Sequence, residues 1–407
     1  AELGVDTDAA LKTLAATPIS LHCWQGDDVH GFEVHDTAVT GGGIMSTGNY
    51  PGCATNADQL RSDAEVALAL IPGKKRFNLH AIYAETNGKP VERDEITPEH
   101  FKNWMKWAKK QGLALDFNPT FFAHPLANSG YTLSSSDKKI REFWIRHGKQ
   151  CREIAAAMGK AQGTPCIVNH WIPDGAKDQP IDRLTPRKHL KDAYDEIFSV
   201  KYSPKYIRDG VESKLFGIGA EDYTVGSHEF YMTYVASRPE KDVMLTFDMG
   251  HFHPTETIHD KIASIAPFQK ELLLHVSRGI RWDSDHVTIM DDNTVELFSE
   301  IVRAGALDRV HYGLDYFDGA MNRVGAYVTG SRAAQKAMLR ALLEPVAMIS
   351  KYEMEDRHFE VLALEEECKA LPWNAVYDEF CLRNDVPVGS DFIAEVQKYE
   401  KEVTSKR

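Results

Sequence analysis

Asp248 and His251 stand three residues apart at the end of the β-rich run VMLTFDMGHFH (243–253), Asp283 and Asp285 two apart in RWDSDH, and Asp315 and Asp318 close VHYGLDYFD. Carboxylates and imidazoles with no thiolate nearby form a ligand set that suits Mn²⁺, Co²⁺ or Mg²⁺ better than a structural zinc. In an Asp-x-Asp pair both side chains leave an extended segment on one face, so a single hard cation can take an oxygen from each. Glu212 and Lys214 share that spacing. A carboxylate there can join the ligand shell, and the ammonium beside it can polarise a substrate oxygen. His275 follows a run of three leucines, one strand after Asp248. His22 and His80 also sit in apolar runs, where a hydrogen-bonded core histidine is the ordinary reading. Taken singly, each motif also fits a solvated strand end or a surface ion pair. Three successive strand ends of this kind, none balanced by a local lysine, point to a metal centre.

Such a centre belongs at the C-terminal ends of parallel strands. Eight β-rich runs are spaced along the chain: 18–24, 76–83, 113–118, 165–172, 213–219, 243–249, 271–277 and 310–315. Between them lie amphipathic stretches, among them 96–112, with Pro in its first turn and Gly at its end, and 138–159, which a Gly also closes. This alternation predicts an α/β chain, a (β/α)8 TIM barrel over residues 1–325 with a C-terminal helical extension, 326–407, that serves packing or oligomerisation. Residues 26–54 form a long Gly-rich segment after the first strand, predicted to be a lid over the site. The triple glycine at 41–43 lacks the Lys-Ser/Thr of a phosphate loop, and Gly217-Ile-Gly219 lacks the third glycine of a dinucleotide fingerprint.

The 407 residues exceed one barrel of about 250 and leave room for that extension. With 43% hydrophobic and 26% charged residues the composition is that of a globular protein. A net charge of −13 argues against nucleic acid or an anionic membrane as partner. No apolar run reaches membrane-spanning length and no signal-peptide pattern opens the chain. The six cysteines, with no CxxC spacing, read as free thiols of a reducing compartment, so a cytoplasmic location is expected.

The segments SLHCWQGDDVHGFE, TGNYPG, RFNLHAIY, PEHFKNW, DFNPTFFAHPL, WIPDG, ESKLFGIGAEDYTVGS, GHFHPTE, HVSRGIRWDSDHV and LRALLEP resemble L-rhamnose isomerase of the bacterial sugar-catabolic type, from about residue 10 to the C-terminus. That resemblance implies a barrel like that of xylose isomerase, a homotetramer, and two divalent ions per subunit, Mn²⁺ foremost, with Co²⁺, Mg²⁺ or Zn²⁺ as alternatives. By motif, the structural metal falls to Glu212, Asp248, His275 and Asp315, and the catalytic metal to His251, Asp283 and Asp285, with Asp248 bridging. Asp315 is preferred to Asp318 because it closes the β-run. Lys214 and Asp315 are the catalytic candidates, Lys214 assisting at the sugar O1. His80 corresponds to the histidine beside the ring oxygen or O5, and Trp171 to a wall of the sugar pocket. Val29, Val39, Ile44, Ile82 and Tyr83 match an apolar pocket around the 6-deoxy methyl group. The implied reaction interconverts L-rhamnose and L-rhamnulose by a metal-assisted 1,2-hydride shift, a metal-bound water or hydroxide taking the O2 proton. The rival readings are a metal-dependent sugar epimerase or a metallohydrolase on the same barrel, the latter needing Arg278 and Arg281 to cradle phosphate.

Overall fold

Eight short strands rich in Leu, Val, Ile and Phe lie parallel and close on themselves: β1 Ile19–His22, β2 Lys75–His80, β3 Ala114–Asn118, β4 Cys166–His170, β5 Ile207–Glu212, β6 Val243–Asp248, β7 Leu272–Val276 and β8 Val310–Leu314. Each pairs with its neighbours in sequence, and β8 returns to β1 with Ile19 opposite Tyr312. This computed structural model describes residues 3–33, 46–240 and 242–407. Of the expected lid, residues 34–45, which include Val39 and Ile44, lie outside the described residues.

The strands run parallel because a helix or long loop carries the chain back between them. Outward-facing Leu, Phe and Val of the strands pack beneath the surrounding helices in one large core. The helix Arg323–Leu342 follows β8, packs on β1 and on the helices beside it, and buries most of its length. Beyond it the tail is helical: Val346–Met354, His358–Ala370, Trp373–Arg383 and Phe392–Glu402. It is tied back by Arg407, whose guanidinium holds Asp63 at 2.7 and 2.8 Å, and by the Tyr377 hydroxyl, which donates to Gln335 at 2.9 Å.

Two elements differ from the sequence expectation. The fifth strand is Ile207–Glu212, and the run 213–219 is loop. Asp209 and Gly210 disfavour a strand locally, but Asp209 is buried against Arg152 of the helix Lys138–Gln162 (3.0 Å for each of two bonds) and Gly210 faces the barrel interior. That helix also runs past Gly159 to Gln162 and ends on Gly163 with φ +72°. Gly159 is a contact residue rather than a stop, since any side chain there would run into the Tyr206 carbonyl.

Candidate active site

Every predicted ligand lies at a C-terminal strand end or in the loop just beyond it. Glu212 ends β5, Asp248 ends β6, His275 sits near the end of β7 and Asp315 follows β8. One ligand atom from each of these four falls within 4.8 Å of the others. His275 Nδ1 is their centre, 3.0 Å from Asp315 Oδ2, 3.2 Å from Glu212 Oε1 and 3.7 Å from Asp248 Oδ2. A second group, Asp248, His251 and Asp283, meets the same distance limit and shares Asp248 with the first. His251 Nδ1–H donates to the Ser213 carbonyl at 2.9 Å, which turns Nε2 toward Asp283 Oδ2 at 3.2 Å. Asp285, at φ +47°, lines the cavity over these groups, but its carboxylate is not part of either one.

The donor set is short of positive charge. Five carboxylates, Glu212, Asp248, Asp283, Asp285 and Asp315, converge on Lys214, whose Nζ lies 2.6 Å from Asp283 Oδ2. Burial, then crowding by Asp315, Glu212 and Asp283, pushes the Asp248 pKa up to about 7 despite His251 beside it. Burial disfavours charge on His251, yet Asp248 and Asp283 outweigh it and raise its pKa to about 9. His275 moves in the same direction, because Glu212 and Asp315 overcome its desolvation. Burial and the neighbouring Asp283 and Asp315 push Asp285 well up. Glu212 Oε1, Asp248 Oδ2, His275 Nδ1 and Asp283 Oδ1 are buried without a hydrogen-bond partner. Buried carboxylates left in that state are costly; divalent cations in the two groups would satisfy all four atoms. The residues therefore fit metal binding through oxygen and imidazole ligands.

The remaining atoms of these ligands are fixed by neighbours. Asp248 Oδ1 accepts from the Gly250 N–H at 2.6 Å and the Ser277 hydroxyl at 3.1 Å. The Trp24 indole donates to Asp315 Oδ1 at 2.9 Å, and the Asn169 amide donates to Glu212 Oε2. Such supports hold a ligand in one orientation before the metal arrives.

A cavity of about 50 Å³ opens over the groups. Val29, His80, Trp171, Lys214 and Asp285 line it, together with Trp24, Asn118, Phe122, Asn169 and Phe317, for which the sequence suggested no role. Asn118 and Asn169 do stand at strand ends like the ligands, and that position was the available signal. Lys214 Nζ lies 5.1 Å from the centre of the Trp171 ring. His80 Nδ1 is 3.1 Å from the Thr120 hydroxyl, and burial lowers its pKa to about 3, so it is a neutral imidazole. His22 is likewise buried and lowered to about 4; it meets the Tyr316 carbonyl and takes no part in either group.

Ile82 and Tyr83 are not among the residues lining this cavity. The strand gives way at Ala81–Tyr83 to a single 3₁₀ turn, which directs them into the core behind the loop that follows β1. There Tyr83 donates its hydroxyl to Asp27 at 2.6 Å, and the Ile82 carbonyl accepts from the Phe32 N–H at 2.8 Å. Arg278 and Arg281 stand outside as well: Arg278 pairs through its backbone with His286, and Arg281 is exposed. Among the described residues the cavity lining holds no arginine to cradle a phosphate.

A family model described as L-rhamnose isomerase (RhaA) matches residues 1–407. The L-rhamnose isomerase of Bacteroides thetaiotaomicron is 59% identical over 407 residues, covering 100% of this chain and 96% of that protein. That of Salmonella gallinarum is 56% identical with the same coverage of both, 100% and 96%. With its whole length matched at this identity, the chain belongs to the L-rhamnose isomerase family.

Proposed function

We infer that this chain interconverts L-rhamnose and L-rhamnulose, using two divalent cations, Mn²⁺ foremost, held by Glu212, Asp248, His275 and Asp315 and by Asp248, His251 and Asp283, with Asp285 at the second. The observation that carries the reading is the pair of carboxylate–imidazole groups sharing Asp248 beside a buried lysine, under an aromatic-walled cavity. When bound, the cations supply the positive charge that stabilises negative charge on the sugar O1 and O2.

The chain's own residues supply the rest. Converting an aldose to a ketose moves one hydrogen between C1 and C2 while a proton leaves O2 and another reaches O1. Lys214 is held protonated: burial opposes its charge, but Asp283 and Asp285 more than reverse that. Its fixed N–H donors polarise O1 without reorganising during the step. His80, neutral and held at Nδ1 by Thr120, offers Nε2 to the ring oxygen or O5. Trp24, Phe122, Trp171 and Phe317 cover the apolar faces of the sugar and exclude water. Val29, with Val39 and Ile44 beyond the described residues, is the candidate seat of the 6-methyl group. Burying one methyl contributes about 1 kcal/mol, so preference over the 6-hydroxy sugar is modest.

An enediol route needs a side-chain base over C1 or C2. Of the carboxylates in the lining, Glu212, Asp283 and Asp315 belong to the metal groups, which favours the hydride shift, and our reading places Asp285 at the second cation as well rather than over C1 or C2. The test is ketose formation from L-rhamnose by metal-stripped protein with and without Mn²⁺, with L-mannose for comparison. Metal-dependent L-rhamnulose, formed faster than the ketose of L-mannose, is the expected result. In deuterated water the hydride shift leaves C1 and C2 essentially free of deuterium, and extensive incorporation would exclude it. The same reading carries a cytoplasmic homotetramer. The helix His358–Ala370, which buries none of its residues within one subunit, is a surface available for that assembly, and light scattering reads the subunit number.

A further inference from the structure

The wall of the active-site cavity beyond β3 has no regular secondary structure to hold it. After Asn118 the chain runs without helix or strand as far as the 3₁₀ turn Pro125–Ala127, and within this stretch Pro119 and Phe122 line the cavity. Ala123 stands at φ +51°, a left-handed conformation that is unfavourable for a residue with a Cβ and persists only where its surroundings enforce it. The carbonyls of Thr120, Phe122 and Ala123 all turn toward one side chain.

That side chain is Arg93, 1% exposed, in the turn region between β2 and the helix Lys102–Gln111. One terminal nitrogen donates to the Thr120 carbonyl at 2.9 Å and to that of Phe122, and the other donates to that of Ala123 at 2.8 Å. The remaining edge of the guanidinium pairs with the half-buried Glu33, through Nε at 2.8 Å and a terminal nitrogen at 2.8 Å. Every N–H donor of the planar fork is thus used, and its charge is balanced, which is what a buried arginine requires.

Thr120 is gripped a second time through its amide. His147, buried on the helix Lys138–Gln162, donates its Nδ1–H to the Arg93 carbonyl at 2.8 Å, and so presents the Nε2 lone pair to the Thr120 N–H at 3.1 Å. Burial lowers the His147 pKa to about 3, so that lone pair persists near neutral pH. With its N–H and carbonyl both engaged, Thr120 places its hydroxyl 3.1 Å from His80 Nδ1. The Phe122 ring meets the same imidazole edge to face, with ring centres 5.5 Å apart. Two residues whose backbone Arg93 holds therefore converge on His80.

We propose that Arg93 and His147 are positioning residues of the isomerisation: by gripping Thr120 and Phe122 they set the orientation in which His80 presents its imidazole to the sugar, and Glu33 is the counter-charge that keeps the guanidinium in place. Arg93, His147 and Glu33 belong neither to the cavity lining nor to the metal groups, so they act only through their neighbours. This inference rests on the reading of His80 as a residue that meets the sugar.

Steady-state kinetics of the Mn²⁺-loaded enzyme with L-rhamnose tests both and separates them, in a cycle of Arg93→Lys, His80→Ala and the double variant. Lysine keeps the charge, but a single ammonium cannot span the three carbonyls and Glu33. Arg93→Lys should lower kcat/KM about tenfold in the parent and by less than about twofold once His80 is alanine, with bound Mn²⁺ unchanged. No loss in the parent, or a loss of the same size in both backgrounds, overturns the inference and leaves the reading of His80 standing. If His80→Ala leaves kcat/KM unaltered, the reading and the inference fall together. Thr120→Val, close in shape but without the hydroxyl, carries the same expectation in the same cycle, and an undiminished loss beside His80→Ala overturns the inference there too. Should Arg93→Lys not fold, Glu33→Gln decides the matter. It loosens the guanidinium without removing its carbonyl bonds, and should give a smaller loss that likewise vanishes with His80→Ala; no loss, or an undiminished one, overturns the inference.

Discussion

Lys214 and Asp283 form a buried pair, and the two partners serve different ends. Replacing Lys214 by Met removes the donor that the proposed mechanism directs at O1, but no candidate metal ligand. The expected outcome is a kcat lower by about 10²- to 10³-fold, with KM within a few-fold and metal content unchanged, checked by steady-state kinetics alongside metal analysis. His251→Ala removes a ligand from one group only. It should release the cation held with Asp283 and retain the one held by Glu212, His275 and Asp315, which a count of bound Mn²⁺ per chain reads directly. Of the candidate ligands, Glu212, Asp248, His275 and Asp315 could be singled out in the sequence because each stands at or just past a strand end, where the apolar run gives way to a polar residue, and His251, Asp283 and Asp285 because they follow in the loops just beyond. The placement of Ile82 and Tyr83 was not legible, because the 3₁₀ turn after β2 rotates them off the strand's alternation, and no local pattern in the sequence announces that turn. Asn118, Asn169 and Phe317 carry no charge, so nothing in their types set them apart from core or loop residues.

At the level of elements, β5 is held to the helix Lys138–Gln162 by Asp209 and Arg152, with His170 of β4 2.9 Å from the same carboxylate. Burial alone would raise the Asp209 pKa; Arg152 and His170 more than reverse it and hold it below the ordinary value. The stabilisation from this ion pair is therefore complete above the unfolded-state value near 3.9 and is lost as pH falls through the lower folded value. Asp209→Ala should cost about 3–5 kcal/mol near neutral pH, because it leaves a buried guanidinium unpaired. It should also flatten the acid limb of the stability curve, and urea unfolding at pH 7 and through the range below about pH 3.9 checks both effects. The same pair explains why β5 escaped a sequence reading: its stability comes from a partner 57 residues away rather than from β propensity. Arg323 joins two arms of the segment after β1, bonding Asp28 at 2.5 and 2.9 Å and the Tyr50 carbonyl at 2.8 Å. Arg323→Met should raise KM for L-rhamnose about tenfold with a smaller change in kcat, as expected where a contact positions a binding loop rather than the reacting atoms. The other barrel strands were legible within a few residues, because parallel strands covered by helices read as continuous apolar runs.

Taken whole, the molecule gathers the ends of β5 to β8 around its ligands, so metal and fold are thermodynamically linked. A ligand that binds only the folded chain adds about 2.7 kcal/mol at a hundred times its Kd. Stripping the metals should therefore lower Tm, and Mn²⁺ should restore it in a concentration-dependent way, measured by calorimetry with and without chelator. Failure of Tm to respond would mean that the two groups do not hold metal in the folded state. The helical tail was legible as helix, but its attachment was not, since the ties from Arg407 to Asp63 and from Tyr377 to Gln335 join residues far apart in sequence. The seam between β8 and β1, where Ile19 meets Tyr312, bears on how the protein is made. Synthesis at about 5–20 residues per second leaves β1 without its final neighbour for about 15 to 60 seconds while the chain as far as β8 emerges from the ribosome. For that interval one flank of β1 offers unpaired backbone groups to any extended segment nearby. The demand on chaperones during production should accordingly fall on the nascent chain before its eighth strand appears, and shortening the chain ahead of β8 should yield aggregate rather than a smaller folded enzyme.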